Sequence, residues 1–379
     1  MSQPDGALRV STLELFFDLV FVFTVTQLTG FVAVDLSWPG LARMLVMLGV
    51  IWWMYGGYAW LTNAVAPNSS LRRGLLLTGM AGFLAVSLAI PDAFGAYGWA
   101  FGVGYFVVNA VHSGLFLASG GPGALRAMRT LGLFNLASAG LVLAGGFAPG
   151  HWRFGLWLAA LALQIASPYL NRIGGFTISA GHFVERHGLV VIVALGESVV
   201  AIGVGVSGEQ LTPGLLGVAV LGLVLAYYLW YAYFGGDDES AEHALAGIVD
   251  PRARARAAIR GYGYAHYVLL AGIVLFAAGV KKALGHAFGH VSVGQALAVG
   301  GGVALFLAGD LWFRRVLRLG RPWYRLACLF AALASVPLGL VAAAAQLLAI
   351  VAVLVVLLSI EGIRLLRTTG RWSAGPAQR

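Results

Sequence analysis

Apolar runs of 18 to 25 residues follow one another along almost the whole chain, with only short polar breaks between them. A run of that length is what an α-helix needs to cross the hydrocarbon core of a bilayer. A chain built this way folds as a set of membrane-spanning helices, because only helices and closed barrels satisfy every backbone hydrogen bond in lipid. Composition agrees: of 379 residues, 60% are hydrophobic and only 10% charged, against about 25% charged in soluble domains. The runs give twelve spans, at 12–34, 41–64, 74–91, 97–119, 130–148, 152–170, 188–207, 213–235, 262–280, 292–313, 324–342 and 344–363. The last two form a nearly unbroken run, divided only by Pro337-Leu338-Gly339 and a turn near 343. The first run is long enough to stay as a span, and it lacks the basic leader and cleavage site of a signal peptide.

The basic residues orient these spans. With the N-terminus in the cytoplasm, 20 of the 24 lysines and arginines fall on cytoplasmic segments. The other side holds Arg43, Arg153, Lys281 and Lys282. Such a bias is the positive-inside rule, and a missed or extra helix would scramble it. The reading is therefore a multi-pass protein with both termini cytoplasmic. The net charge of +9 is a topology signal, so nucleic acid is excluded as a partner. The expected partners are the lipid bilayer and a small-molecule or ion substrate, with a homo-oligomer left open. The single cysteine, Cys328, rules out a disulfide framework and a thiolate metal site.

A weak internal similarity divides the chain into two six-helix halves, 1–170 and 171–379, the second with a cytoplasmic loop at 236–261. Glu14 opens the first span as Glu185 opens the seventh, Arg73-Gly74 opens the third as Arg260-Gly261 opens the ninth, and His112 matches Asp310. Six spans per half require repeats of the same orientation. Aromatic-rich spans that resemble one another by composition alone are the competing explanation. The loop begins Asp237-Asp238-Glu239 and ends with Arg252, Arg254 and Arg256, which suits a short amphipathic helix on anionic lipid.

Against this apolar background a few polar side chains stand out, since an intramembrane ionisable group is expensive and by default a functional candidate. Glu14 sits at the mouth of the first span, where Ser11 three residues earlier also makes a capping box. Asp18 is one turn further in, about 6 Å deeper, too deep to cap, so it needs an arginine or histidine from another span. His182, Glu185, Arg186 and His187 lie at the cytoplasmic mouth of the seventh span. Glu197 and Ser198 lie about 18 Å deeper than Glu185, after Gly196, which would let another helix approach. Asn109 and His112 occupy the inner half of the fourth span, and Asp310 lies one turn before Arg314, its expected partner. Together they suggest a polar vestibule open to the cytoplasm with Glu197 at its floor.

Three chemistries compete. Buried carboxylates could bind a cation or exchange protons in a transporter or channel, because burial raises the proton affinity of a carboxyl group. His182 and Glu185, at i, i+3, could share a metal in a membrane enzyme, although no HExxH or paired CxxC supports it; a cofactor is not specified by any motif. The carboxylates could also serve helix packing alone, in a non-catalytic membrane factor. The glycines of Gly300-Gly301-Gly302 read as packing devices, not a phosphate loop, and Gly102-Val103-Gly104 lacks the strand–turn–helix context a dinucleotide site needs.

The segments Glu14-Leu15-Phe16-Phe17-Asp18-Leu19-Val20-Phe21 and His182-Phe183-Val184-Glu185-Arg186-His187-Gly188, followed by Gly196-Glu197-Ser198, resemble the bacterial low-temperature-requirement A family of membrane proteins. The similarity covers roughly residues 10 to 365. It implies a bacterial inner-membrane protein and brings no reaction or substrate with it. The transporter reading, with Asp18 and Glu197 as coupling carboxylates, rests on the physical argument.

Overall fold

The computed structural model describes residues 11–64, 69–119, 122–170 and 178–369. Four basic residues of the topology count, Arg9, Arg172, Arg371 and Arg379, lie outside them. Among the described residues every regular element is helical. The helices are α1 Thr12–Val34, α2 Trp38–Ala64, α3 Ser70–Ala89, α4 Gly98–Ser119, α5 Pro122–Phe147, α6 Gly150–Leu170, α7 Ala180–Gly205 and α8 Pro213–Phe234. After them come α9 Asp237–Ala246, α10 Pro251–Ala258, a π-helical turn Ile259–Ala265, α11 His266–Ala283, α12 Val293–Leu317, α13 Trp323–Ala334, α14 Val336–Val341 and α15 Ala343–Thr369.

Among the described residues ten helical segments are long and apolar enough to cross a membrane. Helices also occupy the expected fifth and sixth spans, but there the described apolar run is shorter, Gly132–Phe147, or is interrupted by buried Arg153 and Gln164. Arg153 is tied down by carbonyls: it donates to Ala93 and Gly95 in the turn before α4, at 2.8 and 2.7 Å, and to Gly145 and Gly146 at the end of α5. The nearly unbroken run near the C-terminus is divided at Ala342, whose extended backbone separates α14 from α15. The segment at 236–261, expected as a loop carrying one short amphipathic helix, forms two short helices, α9 and α10. Asp250 caps α10 through the backbone amides of Arg252 and Ala253, and α10 exposes Arg252 and Arg256 while burying Ala255 and Ala258.

The chain divides into two compact units, one of residues 1–193 with 242–267 and one of residues 194–241 with 268–379. In the first, α1 packs on α2 and α3, and α2 on α4 and α6. Successive hairpins pair α3 with α4, α4 with α5 and α5 with α6. Small residues set the spacing: a Cβ at Gly104 would lie 2.9 Å from the Gly82 carbonyl oxygen, close approach that helix pairs in lipid achieve with glycine. In the second unit α12 packs on α8, α13, α14 and α15, and α15 on α8. There a Cβ at Gly272 would lie 2.7 Å from the carbonyl oxygen of Gly302, so Gly300 and Gly302 of the triple glycine pack against neighbouring backbone, while Gly301 faces open space. Gly196 behaves otherwise: no atom among the described residues lies within 4 Å of its would-be Cβ, so no helix approaches closely there.

Candidate functional site

The first unit brings the N-terminal motif of α1 against the His182–His187 motif of α7. Local rules place the first carboxylate. Ser11 starts α1, its hydroxyl accepting from the Glu14 amide, while Glu14 Oε2 accepts from the Ser11 amide and hydroxyl, each at 2.8 Å. This reciprocal cap holds Glu14 facing inward rather than toward water, and the helical repeat puts Asp18 on the same face one turn on. Both are buried.

Arg186 bridges them. Its guanidinium donates to Asp18 Oδ1 at 2.7 Å, to Thr62 Oγ1 of α2 at 2.7 Å and to Glu14 Oε1 at 3.2 Å. It also lies over the rings of Phe17 and Tyr55, with 5.8 and 5.7 Å to the centroids. The planar fork spreads its donors over two nitrogens, one on Glu14 and Thr62 and the other on Asp18, a span that the single ammonium nitrogen of lysine lacks. Tyr55 donates to Asp18 Oδ1 at 2.8 Å. His182, one turn before Arg186, meets Glu14 Oε1 with Nε2 at 3.3 Å. The Asn63 amide donates to His182 Nδ1 at 3.3 Å, and Asn63 itself is fixed by the Ser179 backbone. An amide donor at Nδ1 selects the neutral tautomer with its proton on Nε2.

With His182 neutral, the cluster holds two carboxylates against one guanidinium and carries an excess negative charge. Asp18 Oδ2 and Arg186 Nε are buried and have no hydrogen-bond partner among the described residues. Beside Glu14, Thr62 and Arg186 lies a void of about 10 Å³, about the space of one water.

The four mouth residues of the sequence reading separate by face. His182 and Arg186 point into the cluster. His187 is buried and turns away from the carboxylates, packing on Phe183, Tyr262 and His266 with ring centroids 4.4, 4.9 and 5.8 Å apart. Glu185 is exposed. The i, i+3 pair His182 and Glu185 therefore does not converge on one point. No group of three or more histidine, cysteine or acidic side chains placed to hold a metal occurs among the described residues. Asn109 and His112 of α4 are buried; Asn109 donates to the Met54 sulfur at 3.0 Å, and His112 lies against Gly57 of α2 with no hydrogen bond at either ring nitrogen.

The second unit holds Glu197 and Ser198, both buried, and a separate ionic cluster. Asp310 pairs with Arg325 at 2.5 Å, not with Arg314 as its one-turn spacing suggested. Arg314 instead pairs with Asp237 and Glu361, and Arg325 also meets Asp237 at 3.1 Å and Glu361 at 3.3 Å. The physical reason is direction: on α12 the Asp310 side chain faces α13, so the α13 guanidinium reaches it first. Asp237, read in sequence as the start of a soluble loop, is buried in this cluster. Glu361 and Arg325 were not singled out, because each sits at the end of an apolar run where an interfacial charge is ordinary.

The profile of the bacterial low temperature requirement A protein family matches residues 9–360, and the chain belongs to that family. An uncharacterized protein of Rhizobium meliloti (strain 1021) is 28% identical over 320 residues, covering 81% of this chain and 78% of the relative. No solved structure matches the chain.

Proposed function

We propose that this low-temperature-requirement A protein is a proton-coupled transporter of the bacterial inner membrane, with the Glu14–Arg186–Asp18 cluster as its proton-exchanging site. The observation that carries the reading is the unbalanced charge of that cluster together with the orphaned Asp18 Oδ2. A buried carboxylate oxygen without a donor is where a proton binds at least cost. The void beside Glu14 and Arg186 is sized for one water, enough to pass a proton and too small for a solute. That favours protons over larger cargo at this point. Glu197, buried in the other unit, is the second coupling carboxylate in this proposal.

The reading extends to twelve spans arranged as two six-helix repeats of like orientation, with both termini cytoplasmic. Glu14, Asp18 and the mouth residues His182 and Arg186 then lie at the cytoplasmic ends of their helices. Asn109, His112, Ser198 and Asp310 complete the proposed polar pathway.

The test is proton flux in proteoliposomes carrying a pH-sensitive dye. Asp18→Asn keeps an acceptor for Tyr55 and Arg186 and removes the titratable group. It should abolish flux while leaving the far-ultraviolet circular dichroism unchanged, and Glu197→Gln should do the same. Flux equal to the unsubstituted protein in the folded Asp18→Asn variant would remove the assignment.

A further inference from the structure

The first unit also contains a cavity of about 140 Å³, distinct from the ionic cluster. Its walls are mostly aromatic, with Trp52 and Trp60 of α2, Phe183 of α7 and Tyr262 of the π-helical turn, and its polar side chains include His112 and His187 besides Asn135 and Ser167. Residues 52, 56 and 60 recur every fourth position, so one face of α2 lines the cavity, while Tyr55 and Thr62 on another face serve the cluster. The π turn widens the helix here. Its loosened carbonyls are taken up by side chains: Gly263 accepts from Trp52 Nε1 at 2.7 Å and Gly261 from His266 Nδ1 at 2.8 Å. Such single turns concentrate at functional sites.

We propose that this cavity binds a small neutral aromatic molecule carrying one hydroxyl or N–H donor, of the size and chemistry of phenol. Size sets the first limit, since a cavity of roughly 150 Å³ admits benzene. Polarity sets the second. His187 Nδ1 donates to the Phe183 carbonyl at 2.8 Å, which leaves Nε2 as a lone-pair acceptor. His112, on the same wall, has no hydrogen-bond partner at either nitrogen among the described residues. Two neutral imidazoles facing an aromatic box call for a donor on the ligand. Charge sets the third limit: no carboxylate is among the described residues lining the cavity, so a permanent cation would sit there uncompensated. The site shares His112 with the proposed polar pathway, but its binding test reads no proton flux and stands without that reading.

The purified protein in detergent is titrated with phenol, benzene, tetramethylammonium and decanol, following tryptophan fluorescence and heat. Phenol should bind saturably and about threefold to tenfold more tightly than benzene, the range one net hydrogen bond supplies. His187→Phe should erase that preference. Gly56→Leu should abolish binding of both, because the would-be Cβ of Gly56 meets no described atom within 4 Å and lines the cavity, so a leucine there fills it without a clash. Equal affinity for phenol and benzene in the unsubstituted protein would overturn the proposal. So would binding of tetramethylammonium or decanol in preference to phenol, or unchanged phenol binding in folded Gly56→Leu.

Discussion

Replacing Arg186 by methionine removes the charge at the centre of the first unit's cluster while keeping an unbranched side chain of similar reach. Arg186 is 1% exposed and donates to Glu14, Asp18 and Thr62. Without it Glu14 keeps Ser11 and His182, but Asp18 keeps only Tyr55. Two buried carboxylates then face each other with no cation. Breaking a buried ion pair from one side costs about 3–5 kcal/mol. For a unit of 150–250 residues about 2–4 °C of midpoint follows each kcal/mol, so thermal unfolding in detergent should fall by about 6–20 °C. The triple variant Glu14→Gln, Asp18→Asn, Arg186→Met removes every charge. Neutral replacement of a whole buried cluster is commonly without cost, so its midpoint should return close to that of the unsubstituted protein. Circular dichroism melts of the single and triple variants decide the matter. An unchanged midpoint in Arg186→Met would mean the guanidinium is solvated and the burial argument fails. A triple variant as unstable as the single one would mean the loss comes from packing, not charge.

In the second unit, Arg325→Met takes from Asp310 its one ion pair among the described residues and leaves Asp237 and Glu361 sharing Arg314 alone; it should lower the same midpoint by a comparable amount, whereas Arg315→Met, outside the cluster, should leave it unchanged. Gly302→Ala forces a methyl group to 2.7 Å from Phe276 Cα and should impair folding, seen as loss of the monodisperse peak in size exclusion. Gly196→Ala has open space around it and should keep or raise the midpoint, by up to about 1 kcal/mol of helix propensity. Ser11→Ala removes the cap of α1 and should cost about 1 kcal/mol, read in the same melts. Cys328 is buried, so it gives little background in cysteine labelling. Phe288→Cys should react with impermeant reagent from outside the cell, and labelling of it only in inverted vesicles would refute the twelve-span topology.

The helices were legible because length and hydropathy decide them in lipid, and the division near Ala342 was readable from Pro337 and the small residues around it. A short amphipathic helix in the 236–261 segment was legible from its acidic start and arginine-rich end, but its division into α9 and α10 was not, since composition does not mark the break between them. Their structure comes from Asp250 as a cap and from Asp237 being drawn into a buried cluster. Within the site, costly charges gave away Glu14, Asp18 and Arg186 individually. Spacing along one helix could not say that Arg186 reaches α1 and α2 rather than its neighbour Glu185, nor that Asp310 takes Arg325 rather than Arg314, because those choices belong to tertiary direction. The aromatic cavity was hidden for a different reason. Trp52, Trp60 and Tyr262 are the residue types of an interfacial belt, and only the π turn and the fourfold spacing on α2 convert them into a wall.

The two ionic clusters share a composition that packing alone does not require. Each unit buries arginine among carboxylates, and each has one carboxylate more than its arginines: Glu14 and Asp18 with Arg186 in the first, Asp237, Asp310 and Glu361 with Arg314 and Arg325 in the second. A cluster selected only to join helices would gain from exact neutrality, or from apolar residues outright, since buried pairs seldom repay their desolvation. A surplus carboxylate in each unit instead leaves an oxygen without a donor among the described residues, Asp18 Oδ2 in one and Asp310 Oδ1 in the other. A proton is the smallest species that neutralises such an oxygen without rearranging its neighbours, so the surplus itself is the argument for proton exchange. It makes Asp18→Asn the decisive substitution: neutral, isosteric and still able to accept from Tyr55, it should tighten the fold or leave it unchanged while stopping flux. A variant that unfolds, or one that transports normally, would separate the charge surplus from function.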